Sequence, residues 1–244
     1  MGAAAARHRG PAGPRARLAA VRLMAIETST LAGGVALLDG ERVIGEYLLD
    51  VRITHSERLM PAIDRLLGDA GWTVASLEGL AVAVGPGSFT GLRIGLSVVK
   101  GLAWSLGIAV AAVPTLDAMA ASLPFAALPV CPVLDARRHE VYCSLYRWDG
   151  ATMQREWDYQ ALAPEALAER LAEPTVVLGD QAHAIPSRHA RVAPPHRRMP
   201  SAAAVGVLGL ARFGAGEVVS ATELSPFYLR PSQAELKRRG VPVH

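Results

Sequence analysis

The sequence predicts an α/β protein built from two related units, and three observations predict it. A buried strand ending in an acid, then a turn, then a hairpin opens the chain around "VRLMAIETST" and "GGVALLDG". The same order recurs at "LPVCPVLDARRHEVYCSLYRWDG", with Asp135 in the place that Glu27 holds. After each opening, helical periods alternate with short apolar strands, the pattern of a sheet covered by helices. Finally, 51% hydrophobic against 19% charged residues over 244 positions supplies a sizeable core rather than a disordered chain.

Taken in order, residues 21–27, "VRLMAIE", read as a buried strand, and "TST" as the turn after it. "GGVALLDG" and "RVIGEYLLD" follow as two strands joined at Asp39-Gly40, a hairpin signal. "THSERLMPAIDRLLGDAG" reads as a helix with Leu59, Ile63, Leu66, Leu67 and Ala70 on one face and Gly71 as its stop. Pro61 falls early in that helix, where proline is better tolerated than in the middle. "LEGLAVAVG" is apolar on both faces, as a central parallel strand must be. A glycine-rich loop and a long helix over 90–106 come next, then the strand "IAVAAV" and a helix from Thr115 to about Ser122.

The second unit adds a helix at "APEALAERLAE", a strand "TVVLGD" ending in Gly179-Asp180, a Pro- and Arg-rich loop and an alanine-rich helix over 201–213. This places one lobe at 21–122 and the other at 123–244, with the acids and turns after their first strands facing one another across a cleft. Backbone N–H groups in such turns suit phosphates, and the acids suit a metal held through water.

Charge is unevenly placed. Residues 1–22 hold five arginines and no acid; without them the net +3 becomes 20 basic against 22 acidic residues, or −2. The body therefore offers no net basic field for nucleic acid. Residues 1–20 read either as a disordered tail or as the product of a start set upstream of one near Val21. They lack the apolar segment of a secretory signal, and no apolar run is long enough to span a membrane, so a cytoplasmic location is expected. Cys131 and Cys143, without CxxC spacing, read as a buried thiol pair.

The segment "AVAVGPGSFTGLRIGLSVVKGLAW", residues 81–104, carries Gly85, Gly87, Gly91 and Gly95. Such glycines admit close backbone approach and a helix start offers free N–H groups, so one reading is an anion or nucleotide site and the other a tight strand-to-helix turn. A Walker loop is excluded because Leu92-Arg93 follows Gly91 where Lys-Ser/Thr is required. A nucleophile elbow is excluded because Pro86 and Thr90 flank Ser88 where glycines are required. The helix behind the loop is apolar almost all round, with a polar stripe of Arg93, Ser97 and Lys100. Its outer face needs either another element of this chain or a partner. The seven histidines form neither HxxxH nor HExxH, so no metal site is expected; His55, at a helix start, is the one with a plausible special role.

"MAIETST" with "GGVALL", "HSERLMPAIDRLL", "AVAVGPGSFTGLRIGLSVVKGLA", "VPTLDAMA", "VLDARRHEVY" and "PFYLR", in that order, together resemble the TsaB (YeaZ) family. The match runs from about Val21 to the C-terminal region and is thin over 150–215. Members commonly begin where Val21 stands, and many carry Asp where Glu27 stands.

The resemblance implies the duplicated actin-like ATPase fold (the ASKHA, RNase H-like class) in two lobes. It also implies a non-catalytic subunit that pairs with a TsaD-type catalytic subunit, alongside a TsaE-type ATPase and with TsaC making the activated intermediate. That complex installs threonylcarbamoyl on the adenosine beside the anticodon of ANN-decoding tRNAs. TsaD carries the metal on an HxxxH motif, which this chain lacks. By the same resemblance, Leu59, Ile63, Leu66, Leu67, Ile94, Val98 and Leu102 form the partner face, used for TsaD or for a homodimer when the chain is alone. Glu27, Thr28, Ser29, Gly85, Gly87, Ser88 and Asp135 form a vestigial nucleotide loop. No catalytic residue, metal or required cofactor is expected, weak ATP/ADP and Mg binding is allowed, and tRNA is reached only through the complex.

Two alternatives stand beside it. An actin-fold kinase, ATPase or peptidase would need a working base or nucleophile; Asp135 and Asp180 are the candidate acids, with no substrate pocket to pair them with. An RNA-binding protein would rely on the Arg-rich run 188–198.

Overall fold

The computed structural model describes residues 21–50 and 55–230. The question of a tail or a set-back start at 1–20 lies outside the described residues, as does the chain after Arg230. Strands β1 (Arg22–Glu27), β2 (Ala32–Asp39) and β3 (Arg42–Asp50) form an antiparallel meander whose second turn carries Gly40. Strands β4 (Gly79–Gly85) and β5 (Val110–Pro114) add in parallel on the other side of β1, giving the order β3-β2-β1-β4-β5. All of β4 and all of β1 after Arg22 are buried, which is why both read as unbroken apolar runs.

Alternation along these strands builds two cores. Met24, Ile26, Val35, Leu37 and Val82 face helices α1 (His55–Asp69) and α2 (Phe89–Leu106). Leu23, Ala25, Ala36, Ala81 and Ala83 face the opposite way. That second face is rich in alanine because a helix of small residues lies close against it.

Helix α3 (Thr115–Ala121) leads into the second sheet, made of β6 (Val130–Arg137), β7 (Glu140–Cys143), the side hairpin β8 (Tyr146–Trp148) and β9 (Met153–Arg155), then β10 (Gln160–Leu162). Helix α4 (Pro164–Arg170) precedes β11 (Thr175–Leu178) and β12 (Ala190–Val192). The order β10-β7-β6-β11-β12 reproduces the first sheet strand for strand, with the same antiparallel and parallel pairings. The expected duplication is thus present in topology, and the fold is the two-lobed actin-like arrangement.

Two features differ from the sequence reading. The run 181–200, which reads as loop, contains β12, and β9 and β10 leave no signal in the sequence either. Each has three residues, too few for a period, and is held by its neighbour's backbone. Helix α5 (Ala202–Ala215), counted with the second lobe by the boundary at 122/123, packs on the alanine face of the first sheet. The chain stays there afterwards: Val219 pairs with Val110, and the Phe227 N–H donates to the Val84 carbonyl at 2.7 Å. Cys131 and Cys143 are free and buried as expected, and burial pushes the Cys143 thiol up to about 12.

Candidate functional site

The turn after β1 and the glycine loop after β4 lie in direct contact. The Ser88 N–H donates to the Ser29 carbonyl at 2.6 Å, and Thr28 Oγ1 donates to the Gly91 carbonyl at 2.9 Å. A Cβ at Gly87 would overlap the Ser29 carbonyl oxygen, one at Gly91 the Thr28 carbonyl oxygen, and one at Gly95 the Thr28 hydroxyl. The glycines therefore serve close approach of backbone to backbone. Ser88 is the N-cap of α2, its Oγ accepting the Gly91 N–H at 3.3 Å.

Three backbone donors of this loop pair are used inside the protein. The Ser29 N–H donates to Glu27 Oε1, the Ser88 N–H to Ser29, and the Gly91 N–H to Ser88. In this arrangement the residues do not fit a phosphate between the two loops, because the loops touch. Glu27 itself is fully buried; desolvation raises its carboxyl from 4.5 to about 7, against the pull of the Ser29 N–H that it accepts. Its Oε2 and the Ser29 hydroxyl are buried without a hydrogen-bond partner in the protein.

Asp135 stands at the corresponding place in the second sheet. Its N–H donates to Asp180 Oδ1 at 3.0 Å and its Oδ1 accepts the Arg137 N–H at 2.8 Å. The structure brings these two acids of the second sheet together. The turn that follows holds Arg137, Arg138 and His139 all at positive φ (64°, 53° and 59°), three successive non-glycine residues in a region that costs each about 1 kcal/mol or more.

A strap at the end of the described chain links these parts. Phe227 bonds Val84, Tyr228 stacks on Phe89 at 5.2 Å and bonds Arg93 at 3.1 Å, and Arg230 pairs with Glu140 just past the strained turn. The motifs "GPGSFTGLR", "DARRHEVY" and "PFYLR" thus meet in space. Sequence reasoning marks all three without finding the reason they belong together.

The face of α1 and α2 needs correction. Leu59, Ile63 and Leu67, expected to meet a partner, are 5%, 1% and 5% exposed and belong to the sheet core. Leu66, Ile94, Val98 and Leu102 lie at its border, half-buried. Two exposed apolar groups of these helices lie outside the expected set: Met60 (48% exposed), which lines the groove between them, and Trp104 (73%), which follows Arg93, Ser97 and Lys100 at helical spacing. Trp104 closes the apolar run of its helix and could have been found by asking which apolar positions follow the polar stripe. Between the helices runs a groove lined by Met60, Phe89, Arg93, Ile94 and Val98. His55, at the start of α1, donates Nε2–H to the Thr30 carbonyl at 2.7 Å, so the turn after β1 is pinned by both helices. That turn thus ties the starts of the two helices to the end of β1.

Among the described residues no three His, Cys, Asp or Glu side chains are grouped to hold a metal ion, and no helix is long and apolar enough to cross a membrane.

Comparison with known proteins gives a consistent picture. A family model described as TsaD, tRNA N6-adenosine threonylcarbamoyltransferase, matches residues 50–195. The tRNA threonylcarbamoyladenosine biosynthesis protein TsaB of Escherichia coli (strain K12) is 32% identical over 230 residues, 90% of this chain and 99% of that protein. The Bacillus subtilis (strain 168) protein of the same name is 41% identical over 133 residues, 54% of this chain, and the match spans only 58% of that relative's length. The solved structure of YeaZ from Pseudomonas aeruginosa superposes with a TM-score of 0.73 at 31% identity, over 86% of this chain and all of that one. A structure of a Pseudomonas aeruginosa protein described as similar to peptidase YEAZ gives 0.75 over the same share.

Proposed function

Since the chain belongs to the TsaB family of tRNA threonylcarbamoyladenosine biosynthesis proteins, we propose that it is a non-catalytic subunit that binds and activates a TsaD-type catalytic subunit. The observation that carries this is the groove between α1 and α2, where exposed Met60 meets half-buried Ile94 and Val98 beside Phe89 and Arg93. A helix pair with that much uncovered apolar surface is suited to a four-helix contact with another subunit.

The match to the TsaD model fits a common origin of two paralogous subunits. The HxxxH motif by which the resemblance implies that TsaD holds its metal is absent from this sequence. The internal pairing of the Ser29, Ser88 and Gly91 N–H groups favours a supporting rather than a chemical role for the glycine loop. On this reading the chain needs no nucleotide of its own. A TsaE-type ATPase joins the assembly, and the same helix face makes a homodimer when the catalytic subunit is absent.

Size exclusion with light scattering tests the proposal, on the full chain alone and mixed with the organism's TsaD-type protein. A new one-to-one species is expected. Separate elution with and without nucleotide would overturn it and direct attention to ATP turnover by this chain.

A further inference from the structure

The second lobe carries a positive surface that the subunit contact does not use. From residue 181 to 216 the chain has no Asp or Glu but five arginines, within a body that is otherwise acidic. Arg188, Arg191 and Arg197 are exposed, around the edge strand β12 and the 3-10 turn Pro195–Arg197. Arg188 and Arg191 are adjacent, since Arg191 Nη1 donates to the Arg188 carbonyl at 2.7 Å, and Arg197 follows on the next turn. None of the three is ion-paired with a carboxylate among the described residues. Glu173, two residues before the strand that pairs with β12, is engaged by Arg147 at 2.8 Å. Arg191 Nη1 also donates to the Ala190 carbonyl and Arg188 Nε to His189 Nε2, whereas Arg198, half-buried, donates both Nε and Nη2 to the Ala193 carbonyl.

Exposed guanidinium groups without counter-charge on a rigid edge are suited to a polyanion, because each phosphate contact releases condensed counterions. Arginine is also the residue that grips phosphate oxygens two at a time. We infer that Arg188, Arg191 and Arg197 form a contact surface for the phosphate backbone of RNA, through which this subunit holds the tRNA substrate in the assembly. The choice of RNA over an acidic protein rests on the proposed function. A surface built only of backbone contacts carries no sequence preference; it positions the substrate.

Fluorescence anisotropy with labelled bulk tRNA and the full chain, at salt from about 20 to 200 mM, gives the test. Its variants are Arg188→Gln/Arg191→Gln/Arg197→Gln and, as a control of equal charge change, Arg65→Gln/Arg147→Gln/Arg212→Gln, whose arginines are ion-paired. The expected result is at least about tenfold weaker binding by the first variant. Its log–log salt slope should be shallower by about 2 to 3, and the control should stay close to wild type. No saturable binding by the wild type, equal loss in both variants, or displacement by poly-glutamate as readily as by tRNA would each overturn the inference. Co-elution with the TsaD-type subunit is measured on the same samples. Loss of RNA binding with co-elution intact isolates this surface, whereas tRNA binding without co-elution rejects the proposed function and leaves the surface standing.

Discussion

Thr28 and Gly91 are joined twice over. The Thr28 hydroxyl donates to the Gly91 carbonyl at 2.9 Å, and the Thr28 carbonyl rests where a Cβ on residue 91 would have to be. Gly91→Ala gains about 1 kcal/mol of helix propensity but drives a methyl into backbone that cannot swing away. The net expectation is a loss of about 2 kcal/mol in urea denaturation. A variant as stable as wild type would show that the loop and the turn are not in packing contact.

Ser88→Ala separates packing from chemistry at the same loop. The Ser88 hydroxyl caps α2 through the Gly91 N–H, so its removal should cost about 1 kcal/mol of stability. In a reconstituted modification assay the variant should stay near the wild-type rate. A fall of about a hundredfold or more in a folded protein would give the serine a chemical role and reject the supporting one.

Glu27 predicts a pH dependence. Burial raises its carboxyl to about 7 in the fold, against an ordinary 4.5. Between these two values the folded protein keeps a proton that the unfolded chain has released, so stability contributed by the protonated acid is complete below about 4.5 and is lost as pH rises to about 7. The difference is on the order of 3 kcal/mol. Glu27→Gln keeps an acceptor for the Ser29 N–H without the charge. It should be more stable than wild type at about pH 8 and show a flatter profile between pH 4.5 and 7 in thermal melts. Parallel profiles would mean that Glu27 is ionised at no cost in the fold.

Much of this architecture is legible in the sequence because its cause is local. Unbroken apolar runs mark β1 and β4, the period of Leu59, Ile63 and Leu67 marks α1, and the Glu27–Asp135 correspondence marks the duplication. What is not legible depends on partners distant in the chain. The strands β9, β10 and β12 owe their form to a neighbouring backbone, and α5 crosses to the first sheet because alanines on that sheet make room for it. The same limit blurs the helix face: period alone shows that Leu59 and Ile94 are apolar, but only the position of the sheet shows that Leu59 lies in the core and Ile94 at its border.

That distinction yields a paired test. Ile63→Ala removes a core side chain and should cost about 2 to 4 kcal/mol while leaving the folded protein able to pair with the TsaD-type subunit. Ile94→Glu and Val98→Glu, at half-buried border positions, should cost less stability and abolish the pairing in size exclusion. Retained pairing by folded Ile94→Glu and Val98→Glu proteins would move the interface off this helix pair.

One carboxylate collects two hydrogen bonds at the junction between the lobes. Tyr146 and Tyr159 both donate their hydroxyls to Asp117 Oδ1 at 2.7 Å, tying the helix after β5 to the second sheet. Tyr146 is almost fully buried, so Asp117→Ala leaves its hydroxyl without a partner and should cost about 2 to 3 kcal/mol. Tyr146→Phe, which removes the donor and leaves Asp117 bonded to Tyr159, should cost about 1 kcal/mol. Because the two groups share one bond, the double variant should be less damaged than the sum, by about 1 kcal/mol in a double-mutant cycle. Additive losses would mean that the lobes are held by packing around this point, with the hydrogen bond contributing little to the junction.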